Sequence, residues 1–106
     1  LVYSKYGIIM GMRGVALHMS YRIYDDEILI GRDGKQVQIV ISDRLISRKH
    51  CGIKFSEKEQ CYWVCDYSAN GTVIAGMGEL PKKQWVKVKK NSLLQLVDNS
   101  YSLMLV

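Results

Sequence analysis

The sequence has few of the features that mark several large classes of protein. It has one proline among 106 residues and is 48% apolar, which is not the composition of a disordered chain. No apolar run approaches the roughly 20 residues that span a bilayer, and there is no basic-then-apolar leader. The metalloprotease motif His-Glu-x-x-His and the phosphate-binding Gly-Lys loop are also missing. We therefore expect a globular domain without catalytic activity, cofactor or membrane contact.

Cysteine is scarce, and its count is odd. Cys51, Cys61 and Cys65 cannot all pair within one chain, which argues against a disulfide framework and favours a reducing compartment. A zinc site built from these thiols and His50 is also disfavoured. Cys61 and Cys65 are four residues apart on a predicted strand, about 13 Å, which is too far to share one ion. We expect no metal, since free cysteine often packs as a small apolar side chain.

The length of the chain bounds its organisation. It is enough for one hydrophobic core and too short for two, so we expect a single domain over residues 1–106, with its core in residues 7–106. Because the chain begins at Leu1 and not at methionine, we expect it to be a module of a longer protein. We expect it in the cytoplasm, or on the cytoplasmic side if the parent is anchored in a membrane. The net charge of +5 favours anionic partners without choosing among them.

Apolar residues recur at every second position, and no stretch shows a sustained helical period. The alternation predicts strands over residues 7–12, 15–24, 27–30, 36–41, 50–56, 61–66, 72–74, 85–89, 93–97 and 101–106. Turn residues separate these segments, and short strands at such spacing are typical of a sandwich or barrel. Because the links are short and polar, neighbouring strands should be mostly antiparallel. We predict an all-β, two-sheet β-sandwich.

Three short motifs lie at the ends of these predicted strands. Ile30-Gly31-Arg32 ends one strand, and Ser47-Arg48-Lys49-His50 precedes another. The third motif, Asp-Tyr-Ser-Ala-Asn-Gly-Thr over residues 66–72, follows a strand. Together they supply two guanidinium groups, small hydroxyls and a carboxamide. That set suits a phosphate dianion on a peptide, because the planar arginine fork donates parallel hydrogen bonds to phosphate oxygens.

In this order, in an all-β chain, the three motifs resemble those of the forkhead-associated (FHA) domain. The resemblance covers roughly residues 7–106. It implies a β-sandwich with its binding loops at one end, and a phosphothreonine-peptide binding module that mediates phosphorylation-dependent protein–protein interaction in signalling. It also implies a phosphothreonine-containing protein or peptide as the partner, and a Ser/Thr kinase acting upstream.

The resemblance assigns four residues to phosphopeptide binding. Arg32 is the main phosphate ligand, the Ser47 hydroxyl bonds the phosphate, Arg48 adds a second and more exposed charge, and the Asn70 carboxamide bonds the ligand backbone. Each residue also has a simpler interpretation. The arginines suit a solvated surface, Ser47 suits a turn, and Asn70 suits an Asn-Gly turn. The three motifs together favour the binding roles.

The resemblance gives His50 a supporting role, in which it braces the loop backbone by hydrogen bonding. A catalytic pair of His50 with Ser47 is rejected, because neither an orienting third group nor an oxyanion site has a signal in the sequence. Bracing of the third loop is expected of the other members of its motif: Asp66, Ser68, Gly71 and Thr72. Gly71 is expected to supply a positive φ.

Two positions depart from the family pattern. Ala69 stands where several members carry a threonine or serine that assists binding, and Ala75 replaces an asparagine common just past the Asn-Gly-Thr sequence. The first departure removes one hydrogen bond to a charged group, worth about 1.5–3 kcal/mol. These departures leave room for an alternative, an FHA-like module that binds partners independently of phosphate.

A nucleic-acid binder that uses the lysines of residues 82–90 is a further alternative. Steep salt dependence and indifference to Arg32 would support it. Because the sequence contains no basic stripe interleaved with aromatic residues and no recognition-helix motif, we expect no nucleic-acid contact.

Overall fold

The computed structural model describes residues 3–14, 19–24 and 26–106 of the chain. In this part, each of the alternating segments predicted from the sequence contains a strand. The strands of this part are β1 (Gly7–Arg13), β2 (Ser20–Ile23), β3 (Ile28–Gly31), β4 (Ile39–Val40), β5 (Cys51–Ser56), β6 (Cys61–Asp66), β7 (Thr72–Ile74), β8 (Gly78–Glu79), β9 (Trp85–Val88), β10 (Ser92–Leu96) and β11 (Tyr101–Leu105). Within those ranges there is no helix long and apolar enough to cross a bilayer.

The strands form two sheets. One has six strands in the order β2-β1-β11-β10-β7-β8, and the other has five in the order β4-β3-β5-β6-β9. Every hydrogen-bonded pair of strands is antiparallel except β3 with β4. This confirms the predicted two-sheet, mostly antiparallel sandwich. The exception arises because residues 32–38 carry the chain back beside β3 before β4 begins.

The core lies between the sheets and is built from the inward-facing residue of each alternating pair. Every strand except the short β8 contributes to it or packs against it, and its fully buried members include Ile9, Ile23, Ile30, Ile53, Val64, Leu94, Leu96, Leu103 and Leu105. Cys51, Ile53 and Phe55, which alternate along the predicted strand 50–56, are all buried in this cluster. The three cysteine thiols are free and buried.

Most strands lie within one residue of their predicted ends, and three differ from the prediction by more. β2 is shorter than the predicted segment 15–24, of which residues 15–18 lie outside the described part. The predicted strand 36–41 contracts to β4, because the Val37 N–H donates to the Asp33 carbonyl in a turn. β8 was not predicted, because its two residues, Gly78 and Glu79, show no alternation; it is defined by pairing with β7.

Three loops meet at one end of the sandwich, where β3 and β6 end and β5 begins. They are the β3–β4 loop (residues 32–38), the β4–β5 loop (residues 41–50) and the β6–β7 loop (residues 67–71). The strand register explains their meeting, since Ile30 lies opposite Cys51 and Cys51 lies opposite Asp66. Loops anchored in this way by paired strands can hold several polar groups in fixed positions.

Candidate functional site

Gly31 allows the first two loops to touch. The Arg32 N–H donates to the Ser47 carbonyl at 3.0 Å, and the Asp33 N–H donates to the Arg48 carbonyl at 3.2 Å. A Cβ on Gly31 would lie 2.2 Å from the Arg48 carbonyl oxygen, so a larger residue requires the loop to move. Gly31 was not assigned a role of its own from the sequence. The available signal was a glycine at the end of a strand, which often marks a close backbone approach.

The Arg32 side chain is exposed, but one of its five N–H donors bonds within the protein. Its Nε–H donates to the Ile46 carbonyl at 3.0 Å. A guanidinium has five N–H donors in a rigid plane, so this bond leaves the four on the terminal nitrogens for another partner. The β4–β5 loop therefore orients the arginine without using its fork.

Ser47 links the second loop to the third. Its Oγ accepts a hydrogen bond from the Ala69 backbone N–H at 3.0 Å. A hydroxyl that accepts in this way keeps its own hydrogen as a donor. The contact uses only the backbone of residue 69, so the alanine at this position is compatible with the bond that holds Ser47.

His50 is fully buried beneath these contacts and bonds with both ring nitrogens. Nδ1 accepts from the Ser47 N–H at 3.1 Å, and Nε2 lies 2.8 Å from the Gly71 carbonyl oxygen, to which it donates. Only the neutral tautomer with hydrogen on Nε2 makes both bonds. Burial lowers the pKa of His50, and the opposing effects of the Gly71 carbonyl and Asp66 are smaller. The ring thus braces the β4–β5 loop against the β6–β7 loop.

Asn70 and Arg48 complete the exposed surface of the loops. The Asn70 Nδ2 donates to the Leu45 carbonyl at 2.9 Å, which fixes the side chain near the β4–β5 loop. Its Oδ1 and its second N–H can bond elsewhere, because a carboxamide both donates and accepts. Arg48 lies in the same loop as Ser47 and adds a second guanidinium to the surface.

Asp66 organises the third loop from within. Its buried Oδ1 accepts from the Ser68 N–H at 2.9 Å, from the Ser68 hydroxyl at 2.6 Å and from the Thr72 hydroxyl at 2.9 Å. Oδ2 pairs with Lys82 Nζ at 2.9 Å. Burial alone would raise the pKa of Asp66, but the bonds from Ser68, Lys82 and Thr72 outweigh it, and the pKa is lowered. Lys82 was considered in sequence only among the lysines of residues 82–90, so this pairing was missed.

Gly71 joins this network through its backbone. Its N–H donates to the Ser68 Oγ at 2.8 Å, and its φ is +105°, a conformation that favours glycine. Its carbonyl also accepts the Val97 N–H at 3.0 Å, which ties the loop to the six-stranded sheet. The β6–β7 loop is therefore hydrogen-bonded along its whole length.

The structure brings all nine residues that were given a binding or bracing role in sequence to one end of the sandwich. The outer layer, which is exposed apart from the half-buried Ser47, consists of Arg32, Ser47, Arg48 and Asn70. The buried layer below it consists of His50, Asp66, Ser68, Gly71 and Thr72.

In the part of the chain that the structure describes, neither the best-formed cleft nor a metal site is found at these loops. A cleft of about 960 Å³ lies among other residues, including Tyr3, Tyr6, Ile8, Gln60 and Val106. In residues 3–14, 19–24 and 26–106, no group of three or more histidine, cysteine, aspartate or glutamate side chains could hold a metal ion.

The family-level comparison agrees with the motifs. The model of the FHA domain matches residues 28–97, which is more than half of the chain and includes all three loops. The chain therefore belongs to the FHA-domain family. FHA domains are non-catalytic modules that bind phosphothreonine peptides. No curated protein sequence matches the chain significantly.

Solved structures with the same fold include several FHA domains. The MEK1 FHA domain, in complex with a phosphothreonine peptide of HOP1, is 22% identical with a TM-score of 0.77, over 94% of this chain and 94% of that one. The FHA domain of CT664 from Chlamydia trachomatis is 19% identical with a TM-score of 0.78, over 95% and 96%. An FHA domain of an Arabidopsis thaliana hypothetical protein is 20% identical with a TM-score of 0.79, over 98% and 86%. At these identities the likeness concerns the fold.

Proposed function

We propose that this chain binds phosphothreonine peptides on the surface formed by its three loops, with Arg32 as the main phosphate ligand. One observation carries the assignment. Arg32 and Asn70 each use one donor to bond the β4–β5 loop, and Ser47 of that loop accepts the Ala69 N–H. The three side chains are thereby held in a single hydrogen-bonded junction, and each keeps a group free for a ligand.

The chemistry of these free groups matches a phosphorylated threonine. The phosphate carries roughly −1.5 to −2 charge and three strong acceptor oxygens. The terminal nitrogens of Arg32 can donate two parallel bonds to it, the Ser47 hydroxyl can donate a third, and Arg48 adds positive charge. Asn70 can exchange hydrogen bonds with the peptide backbone beside the phosphothreonine, where both a donor and an acceptor are required.

The partner and its setting follow from this ligand. The MEK1 FHA domain, which has the same fold, is in complex with a phosphothreonine peptide, which supports the ligand class. A phosphothreonine requires a Ser/Thr kinase, acting on the parent chain or on its partner. A cytoplasmic location suits such a kinase, and the free thiols of the domain suit a reducing compartment.

The direct test is a titration of the domain with matched peptides. A degenerate library centred on phosphothreonine selects the flanking residues, and the best sequence is then made with phosphothreonine, phosphoserine and unmodified threonine. We expect binding by the phosphothreonine form and at least about tenfold weaker binding by the unmodified form, because charged hydrogen bonds to the phosphate are lost. Equal affinity for both would instead support the phosphate-independent module.

A further inference from the structure

The outer face of the five-stranded sheet carries lysines and tryptophans that are scattered in the sequence and adjacent in the fold. Lys54 on β5 lies opposite Trp63 on β6, and Trp63 lies opposite Lys87 on β9. Trp85 stands beside this row, opposite Cys65. These residues alternate with members of the core or residues packed against it, so their side chains point away from the core. The Lys54 Nζ lies 4.3 Å from the centre of the Trp85 ring.

This face is continuous with the phosphate-binding loops. Lys49, in the β4–β5 loop, places its Nζ 4.0 Å from the centre of the Tyr67 ring in the β6–β7 loop. The Tyr67 hydroxyl donates to Glu27 at 2.9 Å, and Glu27 covers Gly52, which lies on the outer side of β5. Both loops therefore extend onto the sheet surface. We call this surface the tryptophan face and define it by Lys49, Lys54, Trp63, Tyr67, Trp85 and Lys87.

The charge of the tryptophan face is positive and only partly neutralised. Lys87 pairs with Glu59 at 3.0 Å, and Glu27 accepts the Tyr67 hydroxyl. Among residues 3–14, 19–24 and 26–106, neither Lys49 nor Lys54 has a carboxylate partner, and each lies against an aromatic ring instead. A lysine held over a ring has a defined position and can still bond to an anion through its remaining donors.

Protection of a sheet edge does not account for this arrangement. Lysines on an edge strand discourage pairing with other chains, and Lys87 on β9 fits that role, since β9 is an edge strand. Lys54 lies on the central strand β5, and Lys49 lies in a loop. The placement of Lys54 away from the edge, and of Lys49 in one of the phosphate-binding loops, requires another explanation.

We propose that the tryptophan face is a second contact surface, which binds an acidic segment of the same phosphothreonine-containing partner. The inference rests on the proposed function, because continuity with the loops is what places the segment there. An acidic peptide fits better than a nucleic acid. Lys54 covers the Trp85 ring, which a base would need for stacking, and Glu27 and Glu59 interrupt the positive charge that a continuous phosphate backbone requires.

The test compares two tails on one phosphopeptide. The library-selected phosphothreonine peptide is extended with a tract of glutamate and aspartate or with a matched tract of glutamine and asparagine, first at its N terminus and then at its C terminus. For one of these two attachment points, we expect the acidic-tailed peptide to bind about three- to tenfold more tightly than the neutral-tailed one at low salt. The difference should shrink as salt is added. Lys54→Gln should weaken binding of the acidic-tailed peptide by about two- to fivefold and leave the neutral-tailed peptide unchanged.

Lys58→Gln is the matched control, since Lys58 is exposed in the β5–β6 turn at the opposite end of β5 from the loops. It removes the same charge and should bind both peptides like the parent. A second readout needs no variant: in an NMR titration, the Trp63 and Trp85 indole N–H signals should shift with the acidic tail and not with the neutral one.

The outcomes separate the two proposals. Phosphate-dependent binding with equal affinity for both tails overturns the second contact surface and leaves the proposed function standing. Failure of every phosphopeptide to bind overturns the proposed function, and the second contact surface with it. If single-stranded RNA binds the domain, depends on Lys54 and displaces the acidic tail, the face belongs to a nucleic acid and the acidic-segment assignment is wrong.

Discussion

The His50 Nε2 lies 2.8 Å from the Gly71 carbonyl oxygen, and this contact joins two of the three binding loops through a buried ring. The other ring nitrogen accepts the Ser47 N–H, so the same side chain positions Ser47, which we propose as a phosphate ligand. An uncharged imidazole suits this place because it offers one donor and one acceptor on opposite sides of a rigid ring.

Replacing His50 with alanine should therefore lower both stability and binding. The change leaves the Ser47 N–H and the Gly71 carbonyl without the ring and opens a cavity, which should reduce the free energy of unfolding by about 2–4 kcal/mol. The melting temperature should fall by roughly 10 °C or more, which calorimetry measures. Lys58→Ala, at an exposed site, is the control. If binding weakens while melting is unchanged, His50 is a direct ligand and not a brace.

The stability of the domain should also depend on pH through His50. Because burial lowers the pKa of His50 in the folded state, the unfolded chain takes up the proton first, near pH 6.5. Between that value and the lower folded pKa, the unfolded state holds more protons, so the free energy of unfolding should decrease as pH falls. Above about pH 6.5 the contribution of His50 is fully present.

Urea unfolding at about pH 7.5 and about pH 5 measures this decrease. The lowered pKa of Asp66 also makes stability decline with acid, but only below about pH 4, so the two windows are separate. His50→Ala should flatten the dependence between about pH 7.5 and about pH 5, whereas an unchanged slope in that variant would assign the effect to another group.

The strands and the three loops could be predicted because their signals are local. Alternation marks a half-buried strand, and Asn70-Gly71 marks a turn, without any knowledge of what packs against either. The two-sheet fold predicted from these local signals is confirmed by the structure. The contraction of β4 was not predicted, because the turn formed by Val37 and Asp33 leaves the alternation of residues 36–41 intact.

Features that depend on strand register could not be found in the same way. Three such features join segments that are distant in the sequence. They are the approach of the Arg48 carbonyl to Gly31, the ion pair of Asp66 with Lys82, and the row of Lys54, Trp63 and Lys87. No basic stripe interleaved with aromatic residues runs along the sequence, yet Lys54, Trp63 and Lys87 form one across three strands. The site residues were found by motif, and their roles toward a ligand stay predictions.

Arg32→Ala should cut phosphopeptide affinity at least tenfold, because one or more charged hydrogen bonds are lost at about 1.5–3 kcal/mol each. Stability should change by less than about 1 kcal/mol, since the side chain is exposed and makes one bond to the Ile46 carbonyl. Arg32→Lys keeps the charge but not the fork, and should recover only part of the affinity. Titration calorimetry measures the affinity of both variants. Parent-like binding by Arg32→Ala would show that Arg32 is not the main phosphate ligand and that the binding site lies elsewhere.

Asn70→Ala separates a ligand contact from turn formation. Its bond to the Leu45 carbonyl is exposed, so the free energy of unfolding should change by no more than about 0.5 kcal/mol. Phosphopeptide affinity should fall by about three- to tenfold if the carboxamide bonds the ligand backbone. Asn99→Ala, in the exposed β10–β11 turn, is the control. A clear loss of stability with little loss of affinity would mean that Asn70 only shapes the turn.

Gly31→Ala should disrupt the site without changing any of its polar side chains. The added methyl would lie 2.2 Å from the Arg48 carbonyl oxygen, a backbone atom that can move only with the loop carrying Ser47. We expect a loss of about 1–3 kcal/mol in stability, together with weaker phosphopeptide binding, because the bond from the Arg32 N–H to the Ser47 carbonyl must lengthen or break.

Gly34→Ala, in the β3–β4 loop, is the matched control for this change. The nearest atom to its added methyl is the Val40 Cγ2 at 3.5 Å, an ordinary contact. It should therefore leave stability within about 0.5 kcal/mol of the parent and leave binding unchanged. Chemical unfolding measures the stability of both variants, and peptide titration measures their affinity for the phosphopeptide. If Gly31→Ala behaves like Gly34→Ala, the loops do not depend on the close approach of residues 31 and 48.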